Sequence, residues 1–570
     1  MSLSETWYKK EWPRVLAAFL INAVFLVFML SCFAPRFETN DDVLMSKFVD
    51  GQFSVKTAYV PFLHICLGWF LKLLYTLGGN GFNWYSLCQY LVLYLGFTAI
   101  TWSLLRRFRL FPALVMTLVI LGSFGADSYL SMNFSKASAA GTVGGMTLMV
   151  WAMRNESGTV RRLPLILGMA LALAGYCWRF EEFGVCALLM AGLCLHTLLD
   201  MAGEDRELAA KEKLARAVRY VLPFFILACM AVGLFAFNSF MWNRPEIRDY
   251  TKFDYSRSLL IDFEIPEYDQ MSEVYDSLGI DENFAYMMKN WSFYDTEKFT
   301  QESLDIMIEA RDNCVNRKTP GECLGVFLNE CLMGFTKDRS FPGLVFMLAL
   351  WLACGRRRWS EWVSLAYQSG MFLIMYMFMI YSERYLVNRV DIGLFLAMAV
   401  GLSFFLDERK LSDEKLLCAA VLILSLFISW RSCRKQCIYD SHNTLEDRSF
   451  EKAAVDTILR DDEHLYFVKV WSIEHNMYGP LETPPETYAD RIVHIGGWSM
   501  HHPVMEALLD SWDIENPYKD IVNRDDIYII DDDVERTVRY IGKYYYPDAA
   551  AERIEPLSTE TGLNIYRIVG

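Results

Sequence analysis

Phe37-Glu38-Thr39-Asn40-Asp41-Asp42-Val43-Leu44-Met45 follows directly on the first apolar run of the chain, Val15 to Ala34. A run of that length spans a bilayer, so the acidic cluster sits where the chain leaves the membrane. Carboxylates are costly near hydrocarbon and need a reason to be there. One reason is structural: Asn40 caps a short helix from Asp41 to Asp50 that stops at Gly51, with both aspartates at the positive end of its dipole. The other is chemical, and the rest of the chain decides between them.

The 570 residues are 54% hydrophobic and 15% aromatic, and the apolar ones fall in long runs. This composition describes a polytopic α-helical membrane protein. The first run is full length and lacks a small-residue cleavage site, so it reads as a retained helix. A formal charge of -15 does not fit nucleic-acid binding. The 14 cysteines lie mostly inside apolar runs as small core residues. Cys314, Cys323 and Cys331 have no metal-like spacing, and a Cys314–Cys323 disulfide is not needed.

Apolar segments lie near residues 15–34, 85–105, 110–125, 137–153, 163–178, 183–199, 220–240, 341–354, 362–381, 390–406 and 416–430, about eleven transmembrane helices. Thr57 to Leu77 carries Pro61, His64 and Lys72 and reads instead as an amphipathic helix on the membrane surface. With eleven spans, Lys9-Lys10, Arg106 to Arg109, Arg154 to Arg162, Lys211 to Arg219, Arg356 to Arg358 and Arg409-Lys410 all face the cytoplasm. The amino terminus is then inside and the carboxyl terminus outside, with Arg431, Arg434 and Lys435 as the exception. The division expected is a transmembrane part over 1–430, with outer loops 35–84 and 241–340, and an extracytoplasmic α/β domain over 431–570.

The loop from Met241 to Phe341 is too long for a connection and carries helical patterns around Glu267 to Leu278, Asp281 to Trp291 and Thr300 to Asn313. It forms a folded cap. In the tail, strands are expected at Leu465 to Val470, Arg491 to Ile495, Asp526 to Ile530 and Asn564 to Val569. Helices are expected near Phe450 to Leu459, Pro503 to Trp512 and Val534 to Tyr545.

Arg384 and Arg389 follow a span that ends on the outer face, and Arg179 with Glu181 and Glu182 sits in another outer turn. Arginines there either snorkel to headgroups or clamp a phosphate through paired donors. They share a face with Asp41 and Asp42. A carboxylate base beside phosphate-binding arginines suits transfer of a group from a phosphate-linked lipid to a hydroxyl.

The acidic pair in Glu38-Thr39-Asn40-Asp41-Asp42, followed by Tyr59-Val60-Pro61-Phe62-Leu63-His64, resembles the GT-C fold of polyprenyl-phosphate-dependent glycosyltransferases. Span count, large outer loops and outward tail are similar to it; the tail itself matches no family. The resemblance implies a plasma-membrane enzyme that transfers a sugar with inversion from a polyprenyl-phosphate donor to a glycan or other hydroxyl acceptor. Asp41 or Asp42 would be the catalytic base. Glu38, His64, Arg179, Arg384 and Arg389 would bind substrate. No metal ligand is assigned; a divalent metal is compatible with this chemistry and not required by it.

Other signals read as structure. His501-His502 before Pro503 and Asp531-Asp532-Asp533 before Val534 fit helix starts and surface positions better than metal ligands. Gly496-Gly497 lacks a nucleotide fingerprint. Trp291, Phe293 and Tyr294 belong to a core. A lipid-linked glycan polymerase or ligase is the neighbouring reading. A transporter or flippase comes second, because its ionisable residues would lie at mid-membrane in corresponding halves. A non-catalytic receptor would tolerate loss of Asp41 and Asp42.

Overall fold

A computed structural model of the chain describes residues 11–53, 55–154, 158–205, 208–263, 265–314, 317–337, 340–382, 388–439, 445–469, 479–482 and 491–570. All eleven apolar segments are helical, as Glu11–Cys32, Trp84–Arg107, Leu110–Leu130, Phe134–Arg154, Gly158–Trp178, Phe180–Glu204, Ala210–Trp242, Phe341–Cys354, Trp359–Tyr381, Asn388–Phe404 and Lys415–Tyr439. Among the described residues, seven helices are long and apolar enough to cross a membrane by length and composition. Phe341–Cys354 and Asn388–Phe404 are shorter, while Phe134–Arg154 is rich in small residues and buried along nearly its whole length.

That burial follows from sequence. A Cβ on Gly144 would lie 2.3 Å from the Gly96 carbonyl oxygen, and one on Gly145 would lie 2.4 Å from that of Gly168. Phe134–Arg154 therefore runs backbone to backbone between Trp84–Arg107 and Gly158–Trp178, an approach that only small residues permit.

One end of the bundle gathers Arg106, Arg107, Arg356 and Arg358. There Arg106 pairs with Glu11, Arg107 donates to the Phe404 carbonyl, Arg356 bonds Glu361 and Arg358 bonds Asp200. The acidic stretch lies at the other end. A two-residue strand β1 (Arg36–Phe37) pairs in parallel with β2 (Ser131–Met132), and the Glu38 N–H donates to the Met132 carbonyl. The helix Asn40–Asp50 begins one residue earlier than expected. Thr39 takes the cap position without a side-chain bond, and Gly51, at φ 85°, closes it.

The surface helix is shorter than expected, Ile65–Gly78 rather than 57–77. Pro61 has no N–H to offer, and Phe62 sits at φ 68°, so no helix runs through them. Once formed, the helix exposes Trp69, Phe70, Leu73 and Leu77.

The tail carries a five-stranded sheet of order β4-β3-β5-β7-β6, from β3 (Leu465–Val468), β4 (Ile492–His494), β5 (Ile527–Ile530), β6 (Ala550–Arg553) and β7 (Ile565–Val569). β3 is parallel to β4 and β5, while β7 is antiparallel to β5 and β6. β6 is the strand the sequence reading missed: its residues are largely exposed at the sheet edge, so no apolar alternation marks it. Two helices of the 241–340 loop were missed as well, Arg248–Ile261 and Pro320–Lys337.

That loop and the tail share polar anchors. The Phe293 and Tyr294 N–H groups both donate to the Ile495 carbonyl, at 2.9 and 3.2 Å. Buried Asp295 accepts from Asn516, Tyr540 and Tyr545. Phe293 and Tyr294 are core, as expected. The surface reading of Asp531 and His502 is corrected. Asp531 is buried and accepts from Thr537, with Lys469 as counter-ion, and His502 is a buried helix cap. Cys314 and Cys323 are free thiols.

Candidate functional site

The β1–β2 pairing brings the acidic stretch against the residues that open the Phe134–Arg154 helix. Asp42 turns inward and its side chain is fully buried. Its Oδ1 accepts from the Tyr85 hydroxyl at 2.8 Å, the Gln89 amide at 2.6 Å and the Phe134 N–H at 3.1 Å. Its Oδ2 accepts from the Asn133 amide at 2.9 Å. Burial pushes its carboxyl up to about 7 against the pull of the Gln89 and Tyr85 bonds. Four donors thus occupy the two oxygens of Asp42, which ties the short helix to the bundle.

Asp41 faces the other way. Its side chain is 20% exposed. Oδ1 accepts from the Trp498 indole N–H at 3.1 Å, and Oδ2 lies 3.4 Å from the Thr39 hydroxyl and 4.0 Å from Arg389 Nη2. The Arg389 side chain is 27% exposed, and its buried Nε has no hydrogen-bond partner among the described residues.

Cations surround this pair. Arg179 Nη1 donates to the Ser135 hydroxyl at 2.5 Å, and its guanidinium lies 5.2 Å from the centre of the Phe134 ring. Lys136 is fully buried, 2.8 Å from Glu38 Oε2, and bonded also to Asp127 and the Ser131 carbonyl. Asn388, next to Arg389, donates to the same Asp127. Glu38 is thus engaged as the counter-charge of Lys136.

His64 is held by backbone groups at both ring nitrogens. Its Nδ1 accepts from the Cys66 N–H, capping Ile65–Gly78, so its Nε2–H donates to the Leu234 carbonyl at 3.0 Å. Both nitrogens are used, and burial pushes the imidazole down. Arg384 lies outside the described residues. Asp41 and Arg389 are brought within 4.0 Å of each other, while Arg179 bonds Ser135 at the start of the helix that also holds Asp42; sequence reading missed Lys136, Asp127, Asn133 and Trp498. A lysine in the small-residue first half of an otherwise apolar helix, Ser135 to Gly145, was the visible signal. Among the described residues, no group of three or more His, Cys, Asp or Glu side chains is arranged to hold a metal.

No family model matches the chain, and no curated protein matches it. Among solved structures it is similar to ArnT from Cupriavidus metallidurans bound to undecaprenyl phosphate. The two are 11% identical, over 95% of this chain and 96% of that one, at a TM-score of 0.38. The apo state of the same protein is similar at 11% identity, over 97% and 96%, with a TM-score of 0.40. At that distance the likeness says nothing of substrate or of individual residues.

Proposed function

We propose that the chain is a membrane glycosyltransferase that moves a sugar from a polyprenyl-phosphate donor to a hydroxyl acceptor, with inversion. One observation carries the reading. A partly exposed carboxylate, Asp41, lies 4.0 Å from Arg389, whose Nε has no hydrogen-bond partner among the described residues, at the end of an apolar bundle opposite Arg106, Arg107, Arg356 and Arg358. Oδ2 of Asp41 takes the proton of the acceptor hydroxyl as that oxygen bonds to the anomeric carbon. The bond from that carbon to the phosphate oxygen breaks, and its electron pair leaves with the lipid monophosphate. Arg389 and Arg179 stabilise the charge that develops there, so the step needs no metal.

The ionisable groups gather at helix ends. Glu182 and Asp391 lie in the first turns of Phe180–Glu204 and Asn388–Phe404, which favours a site at the bundle surface over a mid-membrane transport path. The basic end would face the cytoplasm, leaving Asp41 and the tail on the outer face of the plasma membrane. The GT-C resemblance of the acidic stretch supports the same chemistry.

The test compares lipid-linked glycans and envelope polymers in cells carrying wild type or Asp41→Asn at matched protein levels. The variant is expected to lose a sugar decoration while a polyprenyl-phosphate sugar accumulates. Composition unchanged from wild type would overturn the reading.

A further inference from the structure

The base of the proposed reaction is touched by a residue 457 positions away, on the loop that leaves β4. That loop is shaped for a close approach. A Cβ on Gly496 would lie 1.9 Å from the Trp291 carbonyl oxygen, and Gly497 holds φ 101°. Two glycines therefore turn the chain tightly against the 241–340 loop and deliver Trp498 beyond it.

Trp498 is held on three sides. Its carbonyl accepts from the Tyr250 hydroxyl at 2.8 Å, and its ring lies 5.5 Å from Phe48 and 5.6 Å from Phe62. Phe62, at its left-handed φ, stacks in turn on Phe134, the ring that Arg179 covers. A bulky non-glycine residue in that conformation is strained, and it is held here against the Trp498 ring. His502, in the same segment, fixes the loop a second time by donating to the Tyr59 carbonyl at 3.0 Å.

We propose that Trp498 is a positioning residue for Asp41, so that the C-terminal domain completes the active site. The inference rests on the transferase reading above. The indole N–H holds Oδ1 at 3.1 Å and fixes the carboxylate plane, so Oδ2, which has the longer Thr39 hydroxyl contact at 3.4 Å and Arg389 at 4.0 Å, is the oxygen that takes the acceptor proton. Bulk substrate binding does not depend on that bond. Its loss therefore slows the chemical step without weakening substrate capture.

The test replaces Trp498 with 3-benzothienylalanine, which keeps the bicyclic shape and puts sulfur where the N–H was, alongside Trp498→Phe. The full-length protein is assayed in lipid nanodiscs with the polyprenyl-phosphate sugar fraction extracted from Asp41→Asn cells. The isostere is expected to lower kcat about tenfold with KM within about twofold and with an unchanged melting temperature. An isostere with wild-type kcat overturns the inference, as does a fall in kcat matched by a fall in melting temperature. If Asp41→Asn still abolishes transfer in either case, the transferase reading survives. If Asp41→Asn transfers normally, that reading falls whatever Trp498 does.

Discussion

Replacing Asp42 with asparagine would turn one of its two acceptor oxygens into a donating NH₂ facing groups that now donate to it: the Tyr85 hydroxyl, the Gln89 and Asn133 amide NH₂ groups and the Phe134 N–H. A buried network broken in this way costs about 2–4 kcal/mol, so Asp42→Asn is expected to melt well below wild type. Asp41→Asn is expected to change stability by less than about 1 kcal/mol while abolishing transfer, because the side chain is partly exposed and its amide oxygen still accepts from Trp498. Measuring melting temperature and transfer on both variants separates the two acids. Lys136→Met makes a third case: it leaves Glu38 and Asp127 without their shared cation, and a loss of about 3 kcal/mol is expected in thermal unfolding. The acidic pair was legible in the sequence because it interrupts an apolar pattern. Which member faces the site was not, because that depends on Tyr85, Gln89 and Asn133, whose spacing from Asp42 carries no local signal.

Helices were the most legible feature, since length and apolar content define them without reference to neighbours. Their starts were less so. Ile65–Gly78 begins where Pro61 and the left-handed Phe62 allow, and β1 and β2 are too short for any periodicity to reveal. Yet β1–β2 sets the register of the site, because Asn133 and Phe134 follow β2 immediately. The helix they open is fixed from the far side by the contacts at Gly144 and Gly145. Gly145→Val is expected to separate Phe134–Arg154 from Gly158–Trp178, lowering the melting temperature by an overpacking cost of about 1–3 kcal/mol. Transfer should fall with it, because the same helix carries Ser135 and Lys136. A variant that melts and transfers like wild type would show that the two helices have room to spare.

The loop over 241–340, the tail and the bundle meet through buried histidines, and this makes their association sensitive to pH. Burial pushes His494 and His502 down to about 3, with Lys47 adding to the effect on His494. Both stay neutral in the folded state across a range where the unfolded chain, with a histidine near the ordinary 6.5, takes up protons. The stability these two histidines contribute is therefore complete above about pH 6.5 and is lost as pH falls toward 3, by about 2 kcal/mol per histidine between pH 7 and pH 5. Hydrogen exchange of the β3 amides should accelerate over that interval, and His502→Gln should flatten the dependence. No reading of the sequence would have joined Trp498 to Asp41 or Asp295 to Tyr540, since the residues in each pair come from distant parts of the chain.

The Trp498–Asp41 hydrogen bond also imposes an order on biogenesis. Asp41 is made early and Trp498 late, and the 241–340 loop waits between them with Asp295 lacking the Asn516, Tyr540 and Tyr545 partners of its mature state. Domains fold as they emerge when their contacts are local, but these contacts join residues 221 to 457 positions apart and cannot close until the tail residues that make them have been synthesised. Until Trp498 has been made, Asp41 lacks the indole partner it has in the folded chain, so this acidic stretch reaches its final set of contacts only late in synthesis.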